Sequence, residues 1–193
     1  MPHPRIIALT GRAQAGKDSV RSFLEKAYDY AGLAFADPLR ELRKSFLDIV
    51  GAPDVYNTDE TLKQKVIPEL GVSRRHLEQT LGTEWGRDCI RQDLWTWLLK
   101  RRAQSLLDLG YNIVISDLRF LNEEVLVREL GGEIWRIVRW DESPVDQSHR
   151  SESELDLLKP DFTIQNFASI PALHQNVDLA LRSSRHNNNQ HSR

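Results

Sequence analysis

Nine residues near the amino terminus, Gly11-Arg12-Ala13-Gln14-Ala15-Gly16-Lys17-Asp18-Ser19, set two glycines and a lysine at the G-x-x-x-x-G-K spacing of a phosphate-binding loop. Glycine lets the backbone turn tightly enough for successive N–H groups to face phosphate oxygens, and a helix starting near Lys17 adds the positive end of its dipole. Lys17 then supplies a point charge for the outer phosphates of a nucleotide. Gly11, Ala13, Gln14, Ala15, Gly16, Lys17, Asp18 and Ser19 are therefore expected to line the donor nucleotide. Asp18 stands where the usual motif has the Ser or Thr that ligates magnesium, and the hydroxyl follows one residue later at Ser19. Asp18, Ser19 and a distant Asp117 are the candidate magnesium ligands, with a glycine-containing turn that binds nothing as the alternative.

Asp117 closes the strongest strand signal of the chain, the apolar run Asn112-Ile113-Val114-Ile115-Ser116-Asp117. A buried central strand ending in a carboxylate is how phosphoryl-transfer proteins bring an acid to the nucleotide and its metal. Arg119 follows two residues on. A phosphate acceptor needs charge neutralisation more than a strong base, and the planar guanidinium fork binds phosphate oxygens bidentately. Arg119 and Arg87 are the candidates for that task. Bland alternatives remain for each: Asp117 as a helix cap, Arg119 as a partner of Glu123 or Glu124, Arg87 as part of a solvated face with Arg74, Arg75 and Arg91. Phe120 suits either a nucleobase or the core, whereas Trp85, Trp95, Trp97 and Trp135 read as core.

The elements that must position these groups alternate between short apolar runs and helical periods, the pattern of an α/β domain with a parallel sheet. Ile6-Ile7-Ala8-Leu9 before the loop, and Val20, Phe23, Leu24 and Ala27 after it, give the strand–loop–helix order the motif requires. Strands are expected at Arg5 to Leu9, Leu33 to Ala36, Asn112 to Asp117, Ile134 to Val138 and Phe162 to Ile164. Helices are expected from Pro38 to about Val50, Ser73 to about Glu84, Asp93 to Leu109, Glu123 to Leu130 and Ile170 to Leu181. Asp54 to Pro68 reads as irregular. The polar segment Trp140 to Leu155 reads as a lid or as a plain surface loop, with His149 a lid or structural residue. The polar tail 183–193 reads as disordered.

Bulk composition narrows the partners. The 193 residues suffice for a full core, and 26 basic residues against 28 acidic ones give no basic excess for a nucleic-acid polymer. The single cysteine, Cys89, excludes an intrachain disulfide framework. No apolar run reaches membrane-spanning length and no signal-peptide core is visible, so no membrane partner and a cytoplasmic location are expected.

Four stretches together resemble the bacteriophage deoxynucleoside monophosphate kinases, members of the P-loop kinase superfamily: Gly11 to Ser19; Phe35-Ala36-Asp37-Pro38-Leu39; Leu81-Gly82-Thr83-Glu84-Trp85-Gly86-Arg87; and Asp117-Leu118-Arg119-Phe120-Leu121-Asn122-Glu123. His149-Arg150-Ser151-Glu152 fits the same pattern, and the resemblance runs from Ile6 to about Leu181. It implies a P-loop fold with a five-stranded parallel sheet flanked by helices in one kinase domain, 1–182. Within it, a helical substrate-binding insertion is expected at about 38–110 and a short lid at about 140–155. It implies ATP-dependent phosphorylation of a deoxynucleoside monophosphate, with ATP and Mg2+ as cofactors and host cytoplasm as the location if phage-encoded. Lys17, Asp117 and Arg119 would carry catalysis, while Asp37, Arg87, Arg119, Phe120, Glu123 and Arg150 would surround the acceptor. A dephospho-coenzyme A kinase and a non-catalytic P-loop switch are the rival functions, the latter disfavoured by the lack of an N-K-x-D run. The partners the resemblance implies are small-molecule nucleotides, with a homodimer as the assembly to be considered.

Overall fold

The chain opens with β1 (Ile6–Thr10), α1 (Lys17–Tyr28) and β2 (Tyr30–Leu33). It continues through α2 (Asp37–Val50), the single turn α3 (Val55–Thr58), a hairpin of β3 (Val66–Ile67) and β4 (Val72–Ser73), and α4 (Arg74–Thr80). A π-helical stretch (Leu81–Ile90) and α5 (Leu94–Asp108) follow. It ends with β5 (Asn112–Ile115), α6 (Leu121–Glu129), β6 (Glu133–Val138), β7 (Phe162–Gln165) and a last helix, α7 (Ile170–Gln190). This computed structural model describes residues 5–140 and 154–190, the stretch 185–190 by backbone alone. Two compact units result: residues up to Ala34 together with those from Lys100 onward, and Phe35–Leu99.

The first unit is a five-stranded parallel sheet in the order β2-β5-β1-β6-β7. Its strands are nearly continuous apolar runs because both faces are covered. On one face Ile7, Leu9, Val114, Trp135, Ile137 and Ile164 form a cluster with Val20 and Leu24 of α1 and Leu173, Val177 and Leu181 of α7. On α6, Leu126 and Val127 are buried, and a Cβ on Gly132 would press on Val127 and on Ile6 of β1, so helix and sheet approach closely there. From β1 the chain leaves to one side, through β2 and β5, and returns to the other through β6 and β7. The carboxyl end of β1 is thus a topological switch point, where open α/β sheets bind ligands.

The second unit is mainly helical. Its hairpin and helices close on a small core of Leu47, Ala52 and Ile67 with Tyr56, Leu70 and Leu77. Ser73 caps α4 as its sequence suggests, its Oγ accepting from the His76 N–H at 3.2 Å.

Several expectations need correction. The second strand is Tyr30–Leu33 rather than Leu33 to Ala36, because Asp29 adopts a left-handed conformation (φ 56°) that ends α1 and starts the strand at once. Asp54 to Pro68 is not irregular but holds α3, a 3-10 turn (Glu60–Leu62) and β3. The helix expected from Ser73 to Glu84 runs on as a π-helix to Ile90. Trp95 and Trp135 are buried as expected, but Trp85 and Trp97 are exposed. The closing helix extends to Gln190 instead of Leu181. Ser184 explains the extension: it is 1 % exposed, accepts from Arg5 Nη2 at 2.5 Å and donates to Glu133, a polar anchor that an apolar pattern does not show.

Candidate active site

The loop between β1 and α1 is built on two positions that only glycine fills. Gly11 has φ 139°, and a Cβ there would strike the carbonyl oxygen of Ile137 in β6. Gly16, at φ 106°, is the N-cap of α1, and its absent side chain makes room for the Asn166 amide. That amide donates to Ala15 O at 2.9 Å. Arg139 Nη1 donates to Gln14 O at 3.4 Å, and Arg12 pairs with Asp156 at 3.5 Å. Groups at the carboxyl ends of β6 and β7 therefore hold the loop from one side.

Gly16 offers no side chain to cap α1, and the first N–H groups of that helix, with the positive end of its dipole, stand at the end of the loop. Lys17 folds its ammonium over the loop, donating at 2.7 Å to both Gly11 O and Arg12 O. Asp18 is exposed while Ser19 is half-buried. On that first turn Ser19 is thus the less exposed of the two candidate ligands.

Asp117 lies just beyond β5. The Ser116 N–H donates to Leu33 O at 3.1 Å and the Leu118 N–H to Leu9 O at 3.2 Å, so the ladder continues past Ile115 and fixes half-buried Asp117 at the carboxyl edge, flanked by β2 and β1. Asp117 does not cap α6, whose N-cap is Phe120. Glu123 serves that helix end: 2 % exposed, it accepts from the Arg119 N–H at 2.9 Å and the Phe120 N–H at 3.2 Å. Expected beside the acceptor, Glu123 is turned to the backbone and orders the Arg119–Phe120 loop. These contacts run through the Arg119 backbone, and Glu124 pairs with Arg128 at 3.8 Å. Arg119 and Phe120 are half-buried at the same edge of the sheet.

Within the first unit, then, the loop Gly11–Ser19, Asp117, Arg119 and Phe120 gather at the carboxyl ends of β1 and β5. Asp37 and Arg87 belong to the second unit. Asp37 opens α2 and accepts from Arg40 Nη1 at 2.9 Å. Arg87 is half-buried on the π-helix, where Gly86 packs so tightly that a Cβ would meet Trp95 Cζ2 at 2.5 Å; the Trp95 indole donates to Gly82 O at 2.8 Å. Gly86 thus admits an indole, which the Gly82 carbonyl holds. Arg150, His149 and the expected lid core, 141–153, lie outside the described residues.

Two arginines escaped the sequence reading. Arg74, counted there as a candidate for a solvated face, is 0 % exposed: it donates to Tyr56 O at 3.2 Å and Asn57 O at 3.1 Å and pairs with Glu60 at 2.5 Å. Burial acts to raise the Glu60 carboxyl, but Lys63, Arg74 and Arg43 together hold it below its ordinary range. Arg21 sits four residues after Lys17, a helical spacing that puts both on one face and could have drawn notice.

The donor set fits magnesium of the kind that nucleotides carry. Mg2+ keeps several waters and takes one or two protein oxygens plus phosphates rather than a protein cage. Among the described residues no group of three His, Cys, Asp or Glu side chains gathers as a cage. Ser19, a half-buried hydroxyl residue on the turn next to Lys17, is the kind of ligand that mode requires.

A phosphate loop at the switch point of a parallel sheet, with an acid closing the neighbouring strand, defines a P-loop kinase fold. The likeness to solved structures agrees: shikimate kinase from Aquifex aeolicus superposes with a TM-score of 0.56 at 16% identity over 93% of this chain and 98% of that one. Dephospho-CoA kinase from Campylobacter jejuni gives 0.51 at 14% identity over 94% and 97%. The family model of deoxynucleotide monophosphate kinase matches residues 54–177, and the chain belongs to that family. A protein of Acanthamoeba polyphaga mimivirus, itself described only provisionally as a deoxynucleotide monophosphate kinase, is 29% identical over 185 residues, 89% of this chain and 93% of its own length. The chain is therefore a nucleotide kinase, a phosphotransferase with a phosphate acceptor.

Proposed function

We propose that this kinase transfers the γ-phosphoryl group of ATP to a deoxynucleoside monophosphate. The observation that carries this reading is the gathering of the Lys17 loop, Asp117 and Arg119 at one edge of the sheet in a chain of the deoxynucleotide monophosphate kinase family. Gly11, Ala13, Gln14, Ala15, Gly16, Lys17, Asp18 and Ser19 hold the donor phosphates, by backbone N–H groups and the Lys17 ammonium. Magnesium, held through Ser19 and Asp117 with Asp18 on the solvent side, supplies neutralisation of the phosphate charge when bound. Every other task falls to the chain itself. Lys17 follows the charge that shifts onto the leaving oxygens, and Arg119, with Arg87 and Arg150, holds the acceptor phosphate in line. Asp37 contacts the acceptor nucleoside and Phe120 offers its base an apolar ring. Glu123 holds the backbone from which Arg119 projects.

Residues 1–182 act as one kinase domain, with a helical substrate-binding insertion at about 38–110 and a short lid at about 140–155. Among the described residues no helix is long and apolar enough to cross a membrane. The test is ADP release measured across a panel of deoxy- and ribonucleoside monophosphates and dephospho-coenzyme A. Turnover with one or more deoxynucleoside monophosphates is expected; turnover with dephospho-coenzyme A alone would overturn the reading.

A further inference from the structure

Arg21 has no part in the motifs of the site, yet it links the helix behind the phosphate loop to the strand that carries Asp117. Side chains on a helix lean toward its amino terminus, so Arg21, one turn after Lys17, reaches back toward the carboxyl edge of the sheet. Its guanidinium makes two directed contacts. Nε donates to Glu25 Oε1 at 2.8 Å on its own helix, and Nη1 donates to Ser116 Oγ at 3.2 Å. Ser116 is buried at 6 % exposure, and its N–H is held by Leu33 O of β2. Ser116 immediately precedes Asp117.

The strand beneath is shaped for this arm. A Cβ on Gly32 of β2 would come within 2.5 Å of Arg21 Nη2 and 2.6 Å of Nε, and would press on the Glu25 carboxylate. Gly32 has no positive φ that would demand glycine for the backbone. What calls for glycine here is the room taken by the Arg21–Glu25 pair. Helix, strand β2 and strand β5 thus meet at one guanidinium, clamped from one side by Glu25 and bonded on the other to the residue before the catalytic acid.

We propose that Arg21 is a positioning residue for phosphoryl transfer. Through Ser116 it sets the place of Asp117 and the Arg119 loop relative to Lys17, which stands four residues before it on the same helix. The inference rests on the transfer proposed above. Only the guanidinium can do this, because it offers divergent donors in one rigid plane, whereas an ammonium on a flexible stem cannot hold Glu25 and Ser116 in the same geometry. Misplacement of reacting groups by about 1 Å is enough to lower turnover by up to about 100-fold without loss of binding.

Three variants reach the strut by separate routes: Arg21→Lys keeps the charge, Ser116→Ala removes the acceptor, and Gly32→Ala displaces the guanidinium while leaving both partners in the chain. Each is expected to lower kcat by about 10-fold or more, with the acceptor KM and the calorimetric ATP affinity within about twofold of the parent. Arg21→Lys combined with Ser116→Ala should be no slower than the worse single variant, since both break one link. A purely structural role would instead lower Tm and leave kcat of the folded fraction unchanged. That outcome, wild-type kcat in Arg21→Lys, or additive losses in the double variant would each overturn the proposal. Parent turnover on the nucleotide panel reports separately on the transfer itself, and Gly32→Ala keeps the test decisive if Ser116→Ala fails to fold.

Discussion

Lys17 holds its ammonium against two carbonyls of its own loop, so the charge is placed by the backbone and belongs to no part of the core. Lys17→Ala should therefore leave the Tm close to the parent value while turnover falls by about 100-fold or more, the scale of losing one charge-assisted contact to the transition state. Near-normal turnover in a cooperatively melting variant would remove the loop from the donor site. The first turn of α1 makes a finer distinction. Since Ser19 is half-buried and Asp18 exposed, Ser19→Ala should raise the magnesium concentration giving half-maximal rate more than Asp18→Ala does. The reverse order would assign the inner ligand to the carboxylate. Arg119→Ala is expected to raise the acceptor KM, lower kcat, or both, with ATP affinity by calorimetry little changed. Loss of ATP affinity with intact acceptor kinetics would move Arg119 to the donor side. These groups are legible in the sequence because spacing and residue type alone define them. Glu123 was legible as part of a motif but not in its task, since only the structure shows its carboxylate against the N–H groups of Arg119 and Phe120.

At the scale of elements, the sheet was readable from apolar runs because strands covered on both faces leave little room for polar residues. The second unit was harder to read, because much of it is organised by buried charge. Arg74 looks, in sequence, like any member of an exposed basic cluster. In the fold it is fully buried and joins α4 to the backbone of α3 and to Glu60, while Arg43 and Lys63 share Glu78. Glu60 is 75 % exposed and stays solvated without Arg74, but the Tyr56 and Asn57 carbonyls lose their buried donor, so Arg74→Ala should destabilise the chain by about 2 kcal/mol in chemical denaturation. A loss below about 0.5 kcal/mol would mean that the network relaxes without it. The pH dependence has a definite sign. Glu60 titrates below its ordinary range in the folded state, so its contribution is present above the unfolded value of 4.5 and is lost as pH falls through the lowered folded value. Glu60→Gln should accordingly flatten the acid limb of the stability profile. The π-helix escaped the sequence reading for a different reason: Gly86 looks like a helix breaker until Trp95 is seen packed against it and bonded to Gly82 O.

For the molecule as a whole, the proposed transfer requires that donor and acceptor phosphates meet at the edge of the sheet where Lys17 and Arg119 lie. A ligand carrying both nucleosides tests this directly. A compound joining adenosine to a deoxynucleoside through a pentaphosphate bridge holds its two halves at high effective concentration, so a protein that seats both gains affinity without any new contact. Binding to the folded state alone stabilises by mass action, about 2.7 kcal/mol at a hundred times Kd. The bridged ligand should therefore raise the Tm well beyond the shift given by ATP and the matching monophosphate added together at the same concentration. Arg119→Ala should abolish most of that excess and keep the ATP shift, because it weakens the acceptor half alone. Lys17→Ala should reduce both. If the bridged compound stabilises the parent no more than ATP does, the two phosphates do not share one crevice, and the acceptor site has to be sought away from the carboxyl edge of β1 and β5.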